Sequence, residues 1–307
     1  MEIVKIDDKR KIQNREETVL VLGYFDGLHL GHKVLFDRAR AIADEKGITV
    51  SVLTFPETPK LAFVRYCPDL LLQLSSPEKR FSMMAKYGVD TLYLTDFTSS
   101  FAKQSPQEFI KNYVQALRAS VVVAGFDYHF GNKRADVQLL KELFSGQVEV
   151  VDEVQMDDEK ISSSRIRRAI KSGNVAEANR LLGYEFTTEG IVVHGDARGR
   201  TIGYPTANLA PFERVHLPAE GVYVADVLIG NQRYRSMASV GRNVTFDGTE
   251  MRIEAHIFDF HKEIYGEKIT IVWLDKIRDM IKFDGIESLM KQMQSDEQFS
   301  INWKKSE

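Results

Sequence analysis

The sequence predicts an α/β domain built on a doubly wound parallel sheet, followed by a small antiparallel β-barrel with a C-terminal helix. Up to Gly183, continuous apolar runs alternate with amphipathic helical stretches, the pattern of a parallel sheet covered on both faces. From Tyr184 onward the runs become short, alternating and rich in Thr, Ile and Val, with glycine-containing turns between them. The length, 307 residues, suits two ordinary domains. The boundary is expected between 183 and 184, giving domains of residues 1–183 and 184–307.

Taken in order, residues 18–22 form the first clear strand, and a glycine-rich turn leads to a helix over 33–46 with Gly47 as its C-cap. A second strand, 49–55, ends at a loop with Pro56 and Pro59. Ser75-Ser76-Pro77-Glu78 starts a helix over 79–87, closed by Gly88, and strand 91–94 follows. Ser105-Pro106-Gln107-Glu108 has capping-box spacing with proline at the first helical position, predicting a helix to about Arg118. Strands at 121–125 and 148–151, an acidic loop over 152–159, a helix after the Ser162-Ser163-Ser164 run and another over 175–182 complete this half. The second half offers strands near 185–195, 222–229, 234–240, 251–260 and 268–274, and a helix over 285–293.

Hydrophobic residues are 43% and charged residues 28%, which excludes a disordered chain. With 41 basic and 44 acidic residues the net charge is −3, so no global field favours nucleic acid or a membrane surface. The single cysteine, Cys67, excludes an internal disulfide framework, fits a reducing cytoplasm and is expected to be a small buried hydrophobe. Residues 1–10 lack a signal-peptide pattern, and no apolar run is long enough to span a bilayer. The expected location is the cytoplasm. No pattern in the chain addresses oligomeric state.

Three stretches carry chemistry. Gly23-Tyr24-Phe25-Asp26-Gly27-Leu28-His29-Leu30-Gly31-His32 joins a buried strand to a helix, gathering backbone N–H groups, a helix dipole and two imidazoles. That combination suits a polyphosphate, although a tight turn with incidental histidines has the same spacing. A zinc site is disfavoured, because no cysteine or carboxylate accompanies His29 and His32 at useful spacing. Ile161-Ser162-Ser163-Ser164-Arg165-Ile166-Arg167-Arg168 reads either as a capped basic helix or as a second anion cradle. Gly195 to Asn208, with Arg200, Gly203 and a Pro205-Thr206-Ala207-Asn208 turn, reads as a solvated hairpin loop or as mobile backbone closing over phosphates. The Thr206 hydroxyl and Asn208 carbonyl are hard donors suited to Mg²⁺. No Walker P-loop is present. In Arg252-Ile253-Glu254-Ala255-His256-Ile257, strand alternation puts Glu254 and His256 on one face.

The Gly-x-Phe-Asp-Gly-x-His-x-Gly-His and Ile-Ser-Ser-Ser-x-x-Arg stretches resemble the adenylyltransferase module of bacterial bifunctional riboflavin kinase/FMN adenylyltransferase (FAD synthetase). The likeness continues through Gly125-Phe126-Asp127-Tyr128-His129-Phe130-Gly131. It then runs through the riboflavin kinase landmarks Gly203-Tyr204-Pro205-Thr206-Ala207-Asn208, Gly221-Val222-Tyr223, Ser239 to Asn243 and Tyr265-Gly266. The resemblance implies a nucleotidyltransferase domain followed by a riboflavin kinase barrel, using ATP and Mg²⁺ to convert riboflavin to FMN and FMN to FAD.

It also implies roles. Glu254 is the kinase base and Thr206 and Asn208 hold Mg²⁺-ATP; His29, His32 and Arg167 cradle the phosphates of adenylyl transfer. Gly23, Phe25, Asp26, Gly27, Gly31, Ser162, Ser163 and Ser164 bind ATP in the first module, and Gly195, Arg200 and Gly203 in the second. Asp127, Tyr128, Phe130, Arg278 and Phe283 contact flavin. The sequence departs from the family at Thr58, where a third histidine is usual in the loop after the second strand. It departs again at Val244, usually proline, and at Met280-Ile281, usually a more polar pair. Two further readings are a riboflavin kinase with weakened or lost adenylyl transfer, distinguished by Thr58, and a non-catalytic flavin-binding regulator on the same fold.

Overall fold

The computed structural model describes residues 1–7, 16–132, 134–196, 198–212, 214–242 and 251–304, the side chain of Arg198 excepted. Asn243 and Val244, named above, and Ala197, within the Gly195 to Asn208 stretch, lie outside the described residues. By contacts the chain divides into two compact units, Met1–Ser163 and Ser164–Glu307.

The first unit contains β1 (Glu2–Lys5), β2 (Thr18–Leu22), α1 (Leu30–Lys46), β3 (Thr49–Thr54), α2 (Pro77–Lys86), β4 (Thr91–Leu94), α3 (Ser99–Ala102), α4 (Pro106–Phe109), β5 (Ala119–Gly125), α5 (Val137–Leu143) and β6 (Gln147–Val151). A two-residue hairpin, β7 (Gln155–Met156) with β8 (Glu159–Lys160), occupies the stretch expected as an acidic loop. Six strands form one parallel sheet in the order β1-β4-β3-β2-β5-β6. Every residue of β2 is buried because both sheet faces are covered. Val19 and Val21 join Val50, Val52, Leu92, Val121 and Val123 in one core, while Leu20 and Leu22 join Leu53, Tyr93 and Val122 in the other. After β2 the chain moves outward through β3 to β4, then crosses to β5 on the other side. The turn leaving β2 therefore sits at the topological switch point, beyond the carboxyl ends of the strands.

Capping follows the sequence signals. Ser76 caps α2, Ser105 and Glu108 complete the capping box of α4, and Gly47 ends α1 in the left-handed region at φ 67°. The helix expected to run to Arg118 instead becomes a π-helical segment, Ile110–Gln115. In this wider turn Phe109, Ile110, Tyr113, Val114 and Leu117 all reach the core. Cys67, expected inside, is exposed. It precedes Pro68 in an irregular loop with no packed face, so its modest hydrophobicity has nothing to bury against.

The second unit carries α6 (Ser163–Ser172, whose first residue closes the first unit), α7 (Val175–Leu182), β9 (Thr187–Val193), a helical turn α8 (Arg198–Thr201), β10 (Ala207–Pro211), β11 (Gly221–Ile229), β12 (Gln232–Arg242), β13 (Met251–Ile257), β14 (Lys268–Arg278) and α9 (Ile286–Asn302). The six strands close a barrel in the order β10-β13-β12-β11-β14-β9, each pair antiparallel. Asn179 of α7 ties helix to barrel: its Nδ2 donates to the Trp273 carbonyl at 2.8 Å and its Oδ1 accepts from the Phe186 N–H at 2.7 Å. α9 extends well past its expected end at 293. Its later turns dock through Asp296, whose buried carboxylate accepts from Arg278 Nη2 at 2.7 Å. Among the described residues no helix is long and apolar enough to cross a membrane.

Candidate functional sites

The first candidate site is the turn between β2 and α1. Phe25, Gly27 and Leu28 all have positive φ, at 60°, 79° and 41°. The two non-glycine residues are held in this costly region by burial of their side chains, Phe25 at 4% and Leu28 at 0% exposure. Gly23 is required where it stands, since a Cβ there would meet the Phe25 ring at 2.5 Å. Gly31 passes close to the His29 ring and the Ile161 carbonyl.

His29 is the N-cap of α1, its Nδ1 accepting from the His32 N–H at 3.3 Å. With Nδ1 an acceptor, the proton of neutral His29 resides on Nε2, a donor. The two imidazoles stack with centroids 3.6 Å apart, and the Phe25 ring meets His32 edge-on at 5.2 Å. Burial holds the His32 pKa well below the usual histidine range, and charge on His29, Arg80 and Lys160 lowers it further. His32 is therefore neutral at physiological pH. The first turn of α1 carries no acidic residue, so the positive end of its dipole is uncompensated by its own helix.

Around this turn the predicted residues divide. Asp26 is buried, its Oδ1 accepting from the Leu74 N–H at 2.9 Å, while its carbonyl accepts from Ser163 Oγ at 2.9 Å. The Asp26 carboxylate and the Ser163 hydroxyl thus both brace the turn. Ser162 is half-buried and Ser164 exposed; Arg167 is half-buried on α6. Asp127 pairs with Lys160 at 2.5 Å, and that ammonium lies 4.4 Å from the centroid of Phe126. Phe130 belongs to the core at 5% exposure, stacked with Tyr128 at 6.2 Å; burial pushes the Tyr128 phenol pKa upward. Thr58 caps a short helical turn, Pro59–Ala62, accepting from the Lys60 N–H at 3.4 Å.

Two basic residues here were missed by the sequence reading. Arg80 occupies the buried face of α2, four residues before Met84, where an apolar residue is the rule. Lys160 directly precedes the Ile161-Ser162-Ser163-Ser164 run, a position that could have drawn attention to it.

The second candidate site lies on the barrel where β10 meets β13. Asn208 pairs directly with Glu254, and Ala207 with Ala255. Thr206 Oγ1 donates to Glu254 Oε2 at 3.1 Å. Asn208, read from sequence as part of a loop, thus stands on a strand. A Cβ at Gly195 would lie 2.3 Å from Asn208 Nδ2, so only glycine fits against that amide. His256, on the same face of β13 as Glu254, meets the Pro205 carbonyl through Nδ1 at 2.7 Å. Because a carbonyl only accepts, the proton of His256 resides on Nδ1.

Beside Thr206 is a cavity of about 80 Å³, bordered by Val192, Arg200, Ala207, Ile257, Phe260 and Tyr265. Arg200 donates to the Tyr265 hydroxyl at 3.3 Å, and His194 stacks on the Tyr265 ring at 3.8 Å. Gly203 adopts φ 85° in the loop leading to Thr206. Arg278 is committed to Asp296, and its guanidinium lies 5.8 Å from the half-buried Phe283 ring. These two residues are therefore together at the end of β14. The hydroxyl, amide carbonyl and carboxylate of Thr206, Asn208 and Glu254 form a hard-oxygen set on neighbouring strands, which fits a small divalent cation.

Comparison with known proteins agrees with this pairing of a parallel-sheet unit and a closed barrel. The family described as FAD synthetase matches residues 11–165, and that described as riboflavin kinase matches residues 182–303. The bifunctional riboflavin kinase/FMN adenylyltransferase of Listeria monocytogenes is 44% identical over 284 residues, covering 91% of this chain and 90% of the relative. Its counterpart from Bacillus subtilis is 36% identical, covering 95% and 94%. A crystal structure described as a macrolide-efflux protein from Streptococcus pneumoniae superposes with a TM-score of 0.94 at 49% identity, covering 99% of this chain and 100% of that one. The chain belongs to the bifunctional riboflavin kinase/FMN adenylyltransferase family.

Proposed function

We propose that the chain makes FMN and then FAD at two separate sites, the barrel phosphorylating riboflavin and the sheet domain adenylylating the product. The observation that carries this reading is the cluster on β10 and β13, where Thr206 donates to Glu254 and Asn208 stands opposite it. We take the functional division at 183/184, as the sequence suggested; the riboflavin kinase family match, which begins at residue 182, supports it.

In the kinase step Glu254 accepts the proton of the riboflavin 5′-hydroxyl as that oxygen attacks the γ-phosphorus of ATP and the bond to the β-bridging oxygen breaks. Thr206 and Asn208 would hold Mg²⁺, supported by their oxygen donors beside a carboxylate. When bound, the ion supplies neutralisation of phosphate charge. Gly195, Arg200 and Gly203 shape the loop over the nucleotide, while Arg278 and Phe283 border the flavin.

In the adenylyl step an FMN phosphate oxygen attacks the α-phosphorus of ATP and pyrophosphate leaves. The nucleophile is already an anion, so no general base is needed and charge stabilisation is the whole task. His29 Nε2–H, His32 and Arg167 serve as donors to the phosphates, together with backbone N–H groups of the strained turn and the Ser162, Ser163 and Ser164 segment. Neutral His32 donates without the desolvation cost of a buried cation. Asp26 and Phe25 act by bracing the turn, with Gly23, Gly27 and Gly31 permitting its path. Asp127, Tyr128 and Phe130 lie in the segment read as flavin-facing. Use of ATP in both steps and a lone, unpaired cysteine support a cytoplasmic location.

The test crosses the two sites. Glu254→Gln should lower FMN formation by about 10²- to 10⁴-fold while FMN-to-FAD conversion stays near wild type. His32→Ala should do the reverse. Loss of both activities in either folded variant would refute the assignment of separate sites.

A further inference from the structure

Arg80 is the most completely buried charged residue among those described, at 0% exposure. Its guanidinium spans two loops. Nη1 donates to the Tyr24 carbonyl at 2.9 Å, in the turn after β2; Nη2 donates to the Phe55 and Pro56 carbonyls at 2.8 and 3.1 Å, in the loop after β3. The plane lies over the Tyr24 ring at 4.8 Å and near the Phe81 ring at 5.3 Å. Gln73 Nε2 donates to the same Pro56 carbonyl at 3.2 Å, and Leu74 N–H holds Asp26, so one polar seam joins α2's N-terminal approach to both loops.

A guanidinium in such a place is expensive to bury and easily replaced by a methionine if packing were its only task. Burial does lower its pKa, offset by nearby Tyr24, Asp26 and Glu57, yet an arginine stays charged. What the fork supplies, and an apolar side chain does not, is a fixed distance between two backbone segments that both end at the phosphate-facing rim of the sheet. Thr58 in loop 55–59 is engaged in capping its own helical turn, and the loop's tie to the β2 turn runs through its backbone carbonyls.

We propose that Arg80 is a positioning residue for adenylyl transfer, tying the turn after β2 to the loop after β3 so that their phosphate-facing groups keep a single spacing; this rests on the adenylyl-transfer reading of the first site. The residue touches no reacting atom. It acts through Tyr24, Phe55 and Pro56, and its charge also faces His32, alongside His29 and Lys160.

The experiment measures FMN-to-FAD and riboflavin-to-FMN rates on full-length Arg80→Met, Arg80→Lys and His32→Ala. Arg80→Met should lower the kcat of FAD formation by on the order of 10- to 100-fold, with a smaller change in KM for ATP. Its riboflavin kinase rate should stay at the wild-type value. Arg80→Lys, which keeps the charge and three donors but not the planar fork, should recover part of the loss. The His32 imidazole, followed by NMR, should titrate at higher pH in Arg80→Met and near its wild-type position in Arg80→Lys. Should Arg80→Met not fold, Arg80→Gln takes its place with the same expected loss. FAD formation within about threefold of wild type in a folded variant lacking the charge overturns the proposal, as does a loss that lysine does not repair even in part. Wild-type FAD formation by His32→Ala instead overturns the reading of the site, and the proposal with it.

Discussion

At the scale of single residues, the first site is dominated by a histidine kept neutral. An unfolded chain protonates His32 near the ordinary value of 6.5, whereas in the folded protein burial and neighbouring positive charge delay protonation to a lower pH. Below 6.5 the unfolded state therefore binds more protons, and the contribution of His32 to stability, complete above that pH, is lost progressively as pH falls toward the native pKa. Thermal melts of wild-type protein from neutral to mildly acidic pH should show a steeper fall in melting temperature than those of His32→Gln. Equal slopes would mean that His32 does not resist protonation.

The histidine pair stands out in the sequence because its spacing is local, whereas Glu254 is singled out by the family resemblance and not by its spacing. Arg80 was not legible, since arginine on a helix ordinarily faces solvent and its three acceptors come from residues 24, 55 and 56, distant in the chain. Phe25 shows the converse. Its place in the motif assigns it to the nucleotide site, and what only the structure reveals is that its ring packs against His32 and Phe36.

At the scale of elements, strands were easier to read than helix ends. The buried strands β2 to β5 announce themselves as apolar runs, and the caps Ser76, Ser105, Gly47 and Gly183 mark helix limits through side chains that compete for backbone hydrogen bonds or permit positive φ. β10 was hidden inside a loop reading because Ala207, Asn208, Ala210 and Pro211 are poor strand formers, and only pairing with β9 and β13 makes it a strand. The last turns of α9 were hidden for a related reason: their inward residues are polar, Asp296 and Ser300, and become intelligible only with Arg278 opposite.

That pairing gives a prediction for the element. Asp296→Ala leaves the Arg278 guanidinium without its buried carboxylate and should cost about 3 kcal/mol, measured by urea denaturation. Limited proteolysis should then cut within α9 earlier than elsewhere. Unchanged stability and an uncut helix would show that α9 is held by apolar contacts such as that of Trp303 with the Val224, Val272 and Leu274 cluster.

At the scale of the whole molecule, the change of hydrophobic period after Gly183 revealed two architectures in one chain, a parallel sheet and a closed barrel. The antiparallel barrel was legible, but the strand order that closes it was not, because closure depends on β9 pairing with both β10 and β14, across about 20 and 80 residues of chain. Two chemistries on two scaffolds have a common logic, since the barrel's product is the sheet domain's nucleophile. The FMN phosphate is an anion suited to a turn with an uncompensated helix dipole, whereas the riboflavin hydroxyl needs a carboxylate to take its proton.

Incubating the purified full-length protein with riboflavin, ATP and Mg²⁺ and separating the flavins by chromatography over time reads both activities at once. FMN should appear first, followed by FAD with release of one pyrophosphate per FAD. Accumulation of FMN with no FAD would contradict the adenylyl-transfer half of the account, and recovery of unchanged riboflavin would contradict the whole.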